Sequence, residues 1–277
     1  MRYIFFFLLA ILSVAAVASP FIALSRLVAP LPANSRAFRT LQLESDEVLP
    51  GKYLVRYTAR YDFGRLLLHT PAASVVGFVG PNYQRMQVKL LDAKRSATLP
   101  SVYSLRGKTR VSGVVRAFSG TLTLEQVRHT KVWPQEAVDG KPLPKIKRTG
   151  FALARYELRE NPAENRTGVF QGVAVVRWFV DGRNRLRYDD LDMMRSDGFT
   201  NNQFVGTWTS YRTRQVSTAN WGDFRVPDAG GLDNGADEFA PDAKYSTYGW
   251  AGYQKLLGSS ETVRKAQQER ERSAWWK

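Results

Sequence analysis

Residues 222–239, GDFRVPDAGGLDNGADEF, bring five acids (Asp223, Asp228, Asp233, Asp237, Glu238) together with four glycines and one proline. Acids interleaved with glycine in a short loop suit a hard cation, since calcium takes about six to eight oxygens from a tightly turning chain. The candidate ligand set is Asp228, Asp233, Asn234, Asp237 and Glu238, with calcium as the candidate ion. The stretch is not an EF-hand. Counted from Asp233, Gly235 falls on a ligand position, Glu238 on the position that needs glycine, and Lys244 where the closing glutamate belongs. The same residues also make ordinary turns, because Asp and Gly supply the side-chain bonds and the conformational freedom that turns require. A third chemistry is paired-carboxylate hydrolysis, which needs two acids about 5–9 Å apart across a cleft. Asp223, Asp233 and Asp237 are the acids for it, with Trp221 as a platform for a sugar ring.

Other chemistries are poorly provided for. The chain of 277 residues has no cysteine, which excludes disulfides, thiolate metal sites and thiol nucleophiles. Its two histidines, His69 and His129, stand in no triad motif. DAGG and GLDNG lack the Gly-Lys-Ser/Thr ending of a phosphate loop. No residue is assigned a catalytic role on these grounds.

Charge points to partners instead. The net charge is +15, and residues 219–243 carry six acids against one arginine, a net of −5, so the remainder sums to +20. Such a body attracts anionic lipid, an anionic polymer or an acidic protein. The bases of the proline-rich stretch 133–148 (Lys141, Lys145, Lys147, Arg148) and the closing Trp275-Trp276-Lys277 form the candidate partner-binding residues. Nucleic acid is disfavoured, because the leader described next directs the chain away from the cytoplasmic pool.

Tyr3 to Leu24 runs twenty-two residues without a charge, between Arg2 and Arg26. About 20 apolar residues cross a bilayer as a helix, while Ala16-Val17-Ala18 before Ser19 has the form of a signal-peptidase site. Residues 1–25 are therefore a signal peptide or a membrane anchor. Residues 26–47 follow as a linker, 48–245 as a β-rich domain with a possible subdomain break at 133–148, and 246–277 as a helical tail. The expected fold is mainly β, an antiparallel barrel or sandwich, with the N-terminal helix and a short C-terminal one.

Within the body, YLVRYTARY (53–61) alternates with the period of a half-buried strand. Further strands are expected over 74–79, 84–91, 109–118, 120–127, 149–158, 168–180, 185–190 and 203–212. Asp181-Gly182-Arg183-Asn184 has the Asp-Gly signature of a tight hairpin.

QFVGTWTSY (203–211) resembles the Gly-x-Trp strand of calycins, the lipocalin, fatty-acid-binding and avidin group. The resemblance implies a small barrel with an apolar ligand inside, and gives Gly206 and Trp208 structural roles. In lipocalins and fatty-acid-binding proteins that strand opens the barrel; here it comes late. NNQFVGTW followed by NWGDFRVP also resembles a group of uncharacterised exported bacterial proteins, which implies no activity. The favoured expectation is a non-enzymatic, membrane-anchored or exported interaction protein of the cell envelope, periplasmic in a Gram-negative host. The alternatives are a metal-assisted or paired-carboxylate hydrolase acting on an envelope polymer, and a calycin-like carrier of an apolar ligand.

Overall fold

Alternation of apolar and polar residues drives most of this chain into strands, because a period of two puts one set of side chains on each face of a sheet. A computed structural model describes residues 30–132, 145–191, 198–236, 238–254 and 274–277. The strands are β1 (Val75–Val79), β2 (Gln84–Arg95), β3 (Val102–Val111), β4 (Val114–Thr130), β5 (Ile146–Glu160), β6 (Gly168–Asp181), β7 (Leu186–Tyr188), β8 (Asn201–Ser210) and β9 (Val216–Asp223). They form one antiparallel sheet in the order β5-β4-β3-β2-β1-β9-β8-β6-β7, and a further pairing of β5 with β6 closes it in a ring. Closure leaves β7 outside the ring, paired with the last part of β6 only. Leu31 to Lys277 forms one compact unit.

Side chains of one parity point into the ring. Ala152, Ala154, Tyr156 and Leu158 of β5 meet Phe204 of β8 and Trp221 of β9 there, all buried. A narrow ring accommodates so many aromatics by setting them over cross-strand glycines. Tyr156 pairs across with Gly172, which pairs with Gly206. A Cβ on Gly206 would lie 2.1 Å from the Gln171 carbonyl and 2.5 Å from the Tyr156 hydroxyl, so only glycine fits. Gly77 with Trp221 and Gly150 with Trp178 repeat the arrangement.

Two outer coats cover the sheet. The helix α1 (Ala33–Glu44) lays Phe38 on Val173, Val175 and Val205. It is tied down by Ser35 Oγ donating to the Val205 carbonyl and Asn34 Nδ2 to that of Gly206, both at 2.8 Å. The chain from Val226 to Tyr253, with the short helix α4 (Ala251–Gln254), covers Val76 and Phe78 of β1 with Leu232, Phe239 and Trp250. Inside the ring's core, Tyr57 of α2 (Leu54–Arg60) and Leu66 and Leu67 of α3 (Gly64–Leu67) complete the packing.

Several expectations are corrected. YLVRYTARY is helical, not a strand. Tyr53, Tyr57 and Tyr61 are spaced by four, so the alternation that suggests a strand also lines up one face of a helix. The linker expected over 26–47 is helical from Ala33 to Glu44, because the ring's outer face gives it something to cover. The strand expected over 109–118 contains a turn, with Ser112 and Gly113 at φ of 48° and 81°. Strand β9 has no counterpart among the expected strands. The DGRN hairpin forms as expected: Asn184 donates its N–H to the Asp181 carbonyl at 2.9 Å, joining β6 to β7.

The leader and the helix expected at 260–277 fall largely outside the described residues. Among the described residues no helix is long and apolar enough to cross a membrane, which says nothing of spanning strands.

Candidate functional site

Inward parity on β5 runs Ala152, Ala154, Tyr156, Leu158 and then Glu160, an acid on the apolar face. Glu160 is 5% exposed. Its Oε2 accepts from Trp208 Nε1 and from the Gly168 N–H, each at 2.9 Å. Its Oε1 accepts a longer bond from Thr109 Oγ1 at 3.3 Å, which leaves that oxygen the less saturated of the two. Burial pushes the Glu160 carboxyl upward, opposed by these donors and by the charge of Arg116.

Beside Glu160 lies a cavity of about 260 Å³, at the end of the ring where β3 turns into β4 and β5 into β6. Val79, Met86, Val111, Val114, Phe170 and Trp208 line it, with Arg116 and Arg166 also on its wall. Arg116 is held by Glu164 at 3.3 Å, while Arg166 is exposed. The volume sits just under the range of about 300–1,000 Å³ common for small-molecule sites. Trp208, the tryptophan of the Gly-x-Trp stretch, is thus both wall and hydrogen-bond donor, whereas Gly206 makes room for Tyr156. Sequence reading passed over Glu160; its signal was an acid that keeps the inward parity of an otherwise apolar face.

A second buried carboxylate belongs to Asp223, 3% exposed at the inward end of β9. Its Oδ2 accepts from Thr70 Oγ1, from the Tyr188 hydroxyl at 2.8 Å and from Asn202 Nδ2 at 2.9 Å. Asn202 also donates to the Leu66 carbonyl at 3.0 Å, so the cluster fastens α3 to the sheet. Burial pushes Asp223 up to about 7 against those three donors. Trp221 stacks on Phe204 inside the ring, with ring centres 4.6 Å apart.

The acidic loop is bound up within itself. Arg225 Nη2 meets Asp233 Oδ2 at 2.7 Å, and Asp233 Oδ1 accepts the N–H groups of Gly235 and Ala240 at 3.1 Å each. Asn234 donates to Asp242 at 3.0 Å, and burial raises Asp228. Glu238 is exposed, and Asp237 lies outside the described residues. Among the described residues no three His, Asp or Glu side chains gather as a metal site would require. Asp223 faces inward while Asp233 bonds to Arg225, and no described contact joins the two acids.

Of the candidate partner residues, Lys141 lies outside the described residues, and Lys145, Lys147 and Arg148 are exposed. Lys147 Nζ donates to Asn184 at 2.9 Å. Trp275 and Trp276 turn back on the ring. Arg110 of β3 sits 5.1 Å from the ring of Trp275, and Lys89 of β2 sits 5.2 Å from that of Trp276. Lys277, the last residue, is exposed.

His129 stacks on Tyr53 with ring centres 3.8 Å apart and shares a 2.8 Å hydrogen bond with the Tyr57 hydroxyl. Burial, helped by the charges of Arg148 and Arg56, lowers it to about 4, so the ring is neutral at ordinary pH. It cements α2 to β4 and is remote in sequence and contact from both buried acids.

No family model, no curated protein and no solved structure matches this chain.

Proposed function

We propose that the protein binds a small, mostly apolar molecule bearing one hydroxyl or amine, held in the cavity beside Glu160. The observation that carries this reading is a buried carboxylate on the wall of a mostly apolar cavity within a closed sheet. Binding sites for small molecules combine an apolar lining with a few placed polar groups that fix orientation. Glu160 Oε2 is saturated by Trp208 and Gly168, and Oε1 is the acceptor that a ligand's donor would complete. The interaction-module reading rests on the leader, the basic body, Lys141, Lys145, Lys147, Arg148 and Trp275-Trp276-Lys277; of these, Trp275 and Trp276 lie against the chain's own strands. The hydrolase reading needs Asp233 turned to a substrate, whereas both of its oxygens are engaged within the loop.

N-phenyl-1-naphthylamine, apolar with one N–H, is a suitable probe, read by its own emission and by quenching of tryptophan. Saturable binding is expected. Val111→Phe, which fills the cavity, should abolish it, and Glu160→Gln should weaken it about tenfold, roughly 1.4 kcal/mol. Wild-type affinity in a folded V111F variant would sink the proposal.

A further inference from the structure

At the other end of β6, eleven residues or about 36 Å along the strand from Phe170 of the first cavity, the chain builds a different kind of surface. Asp181 ends the strand and organises the hairpin that follows. Its Oδ1 accepts the N–H groups of Arg183 and Arg185, each at 2.9 Å. Its Oδ2 accepts from Nε of Arg185 at 2.8 Å and from Nε of Arg187 at 3.1 Å. One carboxylate, its side chain 8% exposed, thus pins two guanidinium groups through their Nε atoms. Among the described residues the Nη ends of both have no partner, and the two side chains are 52% and 44% exposed. The N–H donors around Asp181 hold its carboxyl well below the usual range, so the pin stays charged through mildly acidic conditions.

These arginines line an open cleft of about 520 Å³. Arg65 of α3 and His69 just beyond it form the facing wall, with Tyr188 between. The His69 and Tyr188 rings are stacked, with centres 4.5 Å apart and planes 19° from parallel. Tyr188 cannot swing away, because its hydroxyl is bonded to buried Asp223 at 2.8 Å. Asp190 is the other acid on the wall. The cleft therefore offers two forks already oriented, a third cation opposite and a fixed aromatic floor.

We propose that this cleft binds a phosphate-bearing ligand, the phosphate on the Nη forks of Arg185 and Arg187 with Arg65 closing the third side. Guanidinium forks match the oxygens of a phosphate in pairs, which a point charge does not. Pinning through Nε removes in advance the side-chain freedom that binding would otherwise have to take away. The group attached to the phosphate lies against the His69–Tyr188 stack. Such a phosphate comes either from a soluble phosphomonoester or from a lipid headgroup.

The test is calorimetric titration of the full-length protein in neutral detergent, with phenyl phosphate in one arm and dihexanoyl phosphatidic acid, kept below its micellar concentration, in the other. Saturable binding in at least one arm is expected, tenfold or more weaker in the double variant Arg185→Gln/Arg187→Gln. Asp181→Asn keeps both arginines and unpins them, so a several-fold loss is expected from it. The pair Arg212→Gln/Arg214→Gln, which removes the same charge elsewhere, should bind as wild type does. Binding of phenyl phosphate assigns a soluble source, and binding of the lipid alone assigns a headgroup. No saturable binding in either arm overturns the proposal. So does wild-type affinity in the R185Q/R187Q protein, or an equal loss in the R212Q/R214Q control.

Discussion

Two buried titratable side chains pull the stability of this protein in opposite directions with pH. Asp223 has its folded value near 7, above the ordinary 3.8, so its contribution is full below about 4 and is lost as pH rises to 7. The full shift corresponds to ~4 kcal/mol. His129, with its folded value near 4 against an ordinary 6.5, acts the other way: it destabilises as pH falls from 6.5 through 4. Melting temperature of the wild type should therefore change little between pH 4 and 6.5. Asp223→Asn should uncover a rise in melting temperature with pH across that window, and His129→Asn a fall. Parallel pH profiles for all three proteins would show that neither group titrates as its surroundings dictate. At this same scale Glu160 shows how a residue is missed: no motif contains it, and only its place on an apolar face marks it.

Among the elements, the row Tyr156–Gly172–Gly206 joins β5, β6 and β8 and carries a local cost. The Tyr156 hydroxyl is buried and among the described residues has no hydrogen-bond partner, and burial raises it strongly. Tyr156→Phe keeps the ring over both glycines and removes that hydroxyl. It should raise stability by about 1–2 kcal/mol, measured by denaturant unfolding. Gly206→Ala, driving a methyl into the Gln171 carbonyl, should lower it by about 3 kcal/mol or more. A Y156F protein less stable than wild type would mean that the hydroxyl has a partner, such as an ordered water. The elements also show where a pattern in sequence is degenerate. Alternation at 53–61 fits strand and helix alike, since every fourth residue satisfies both. VSTANWGD of β9 alternates poorly because Asn220, on the outer face, is buried too. Its amide serves the Gly206 N–H and the Pro227 carbonyl under the C-terminal coat.

At the scale of the whole molecule, the chain's end is part of its wall. Trp275 and Trp276 add two cation–π contacts on the outside of β2 and β3, each about 0.5–1 kcal/mol at such exposure. Removing Trp275–Lys277 should lower stability by about 1–2 kcal/mol, seen as a lower melting temperature. An unchanged one would leave these residues free for a partner. The acidic loop takes its meaning at this scale as well. Two acids of 222–239 hold the fold together: Asp223 anchors α3 inside the ring, and Asp233 locks Arg225 in the outer coat.

By itself the sequence determined the class of the fold, most of the strands and the β6–β7 hairpin, because period-two alternation and Asp-Gly turn chemistry are local properties. It also named the acids, the histidines and the tryptophans from which a site had to be drawn. Tertiary structure alone decided which of them meet. Closing the ring brought Glu160 to Trp208, and the packing of α3 and β7 against the sheet brought Thr70 and Tyr188 to Asp223, contacts between residues 48, 153 and 35 positions apart in the chain. It also set Asp233 against Arg225. Burial and its effects on charge arise only when distant segments exclude water from one another, and no local pattern records that.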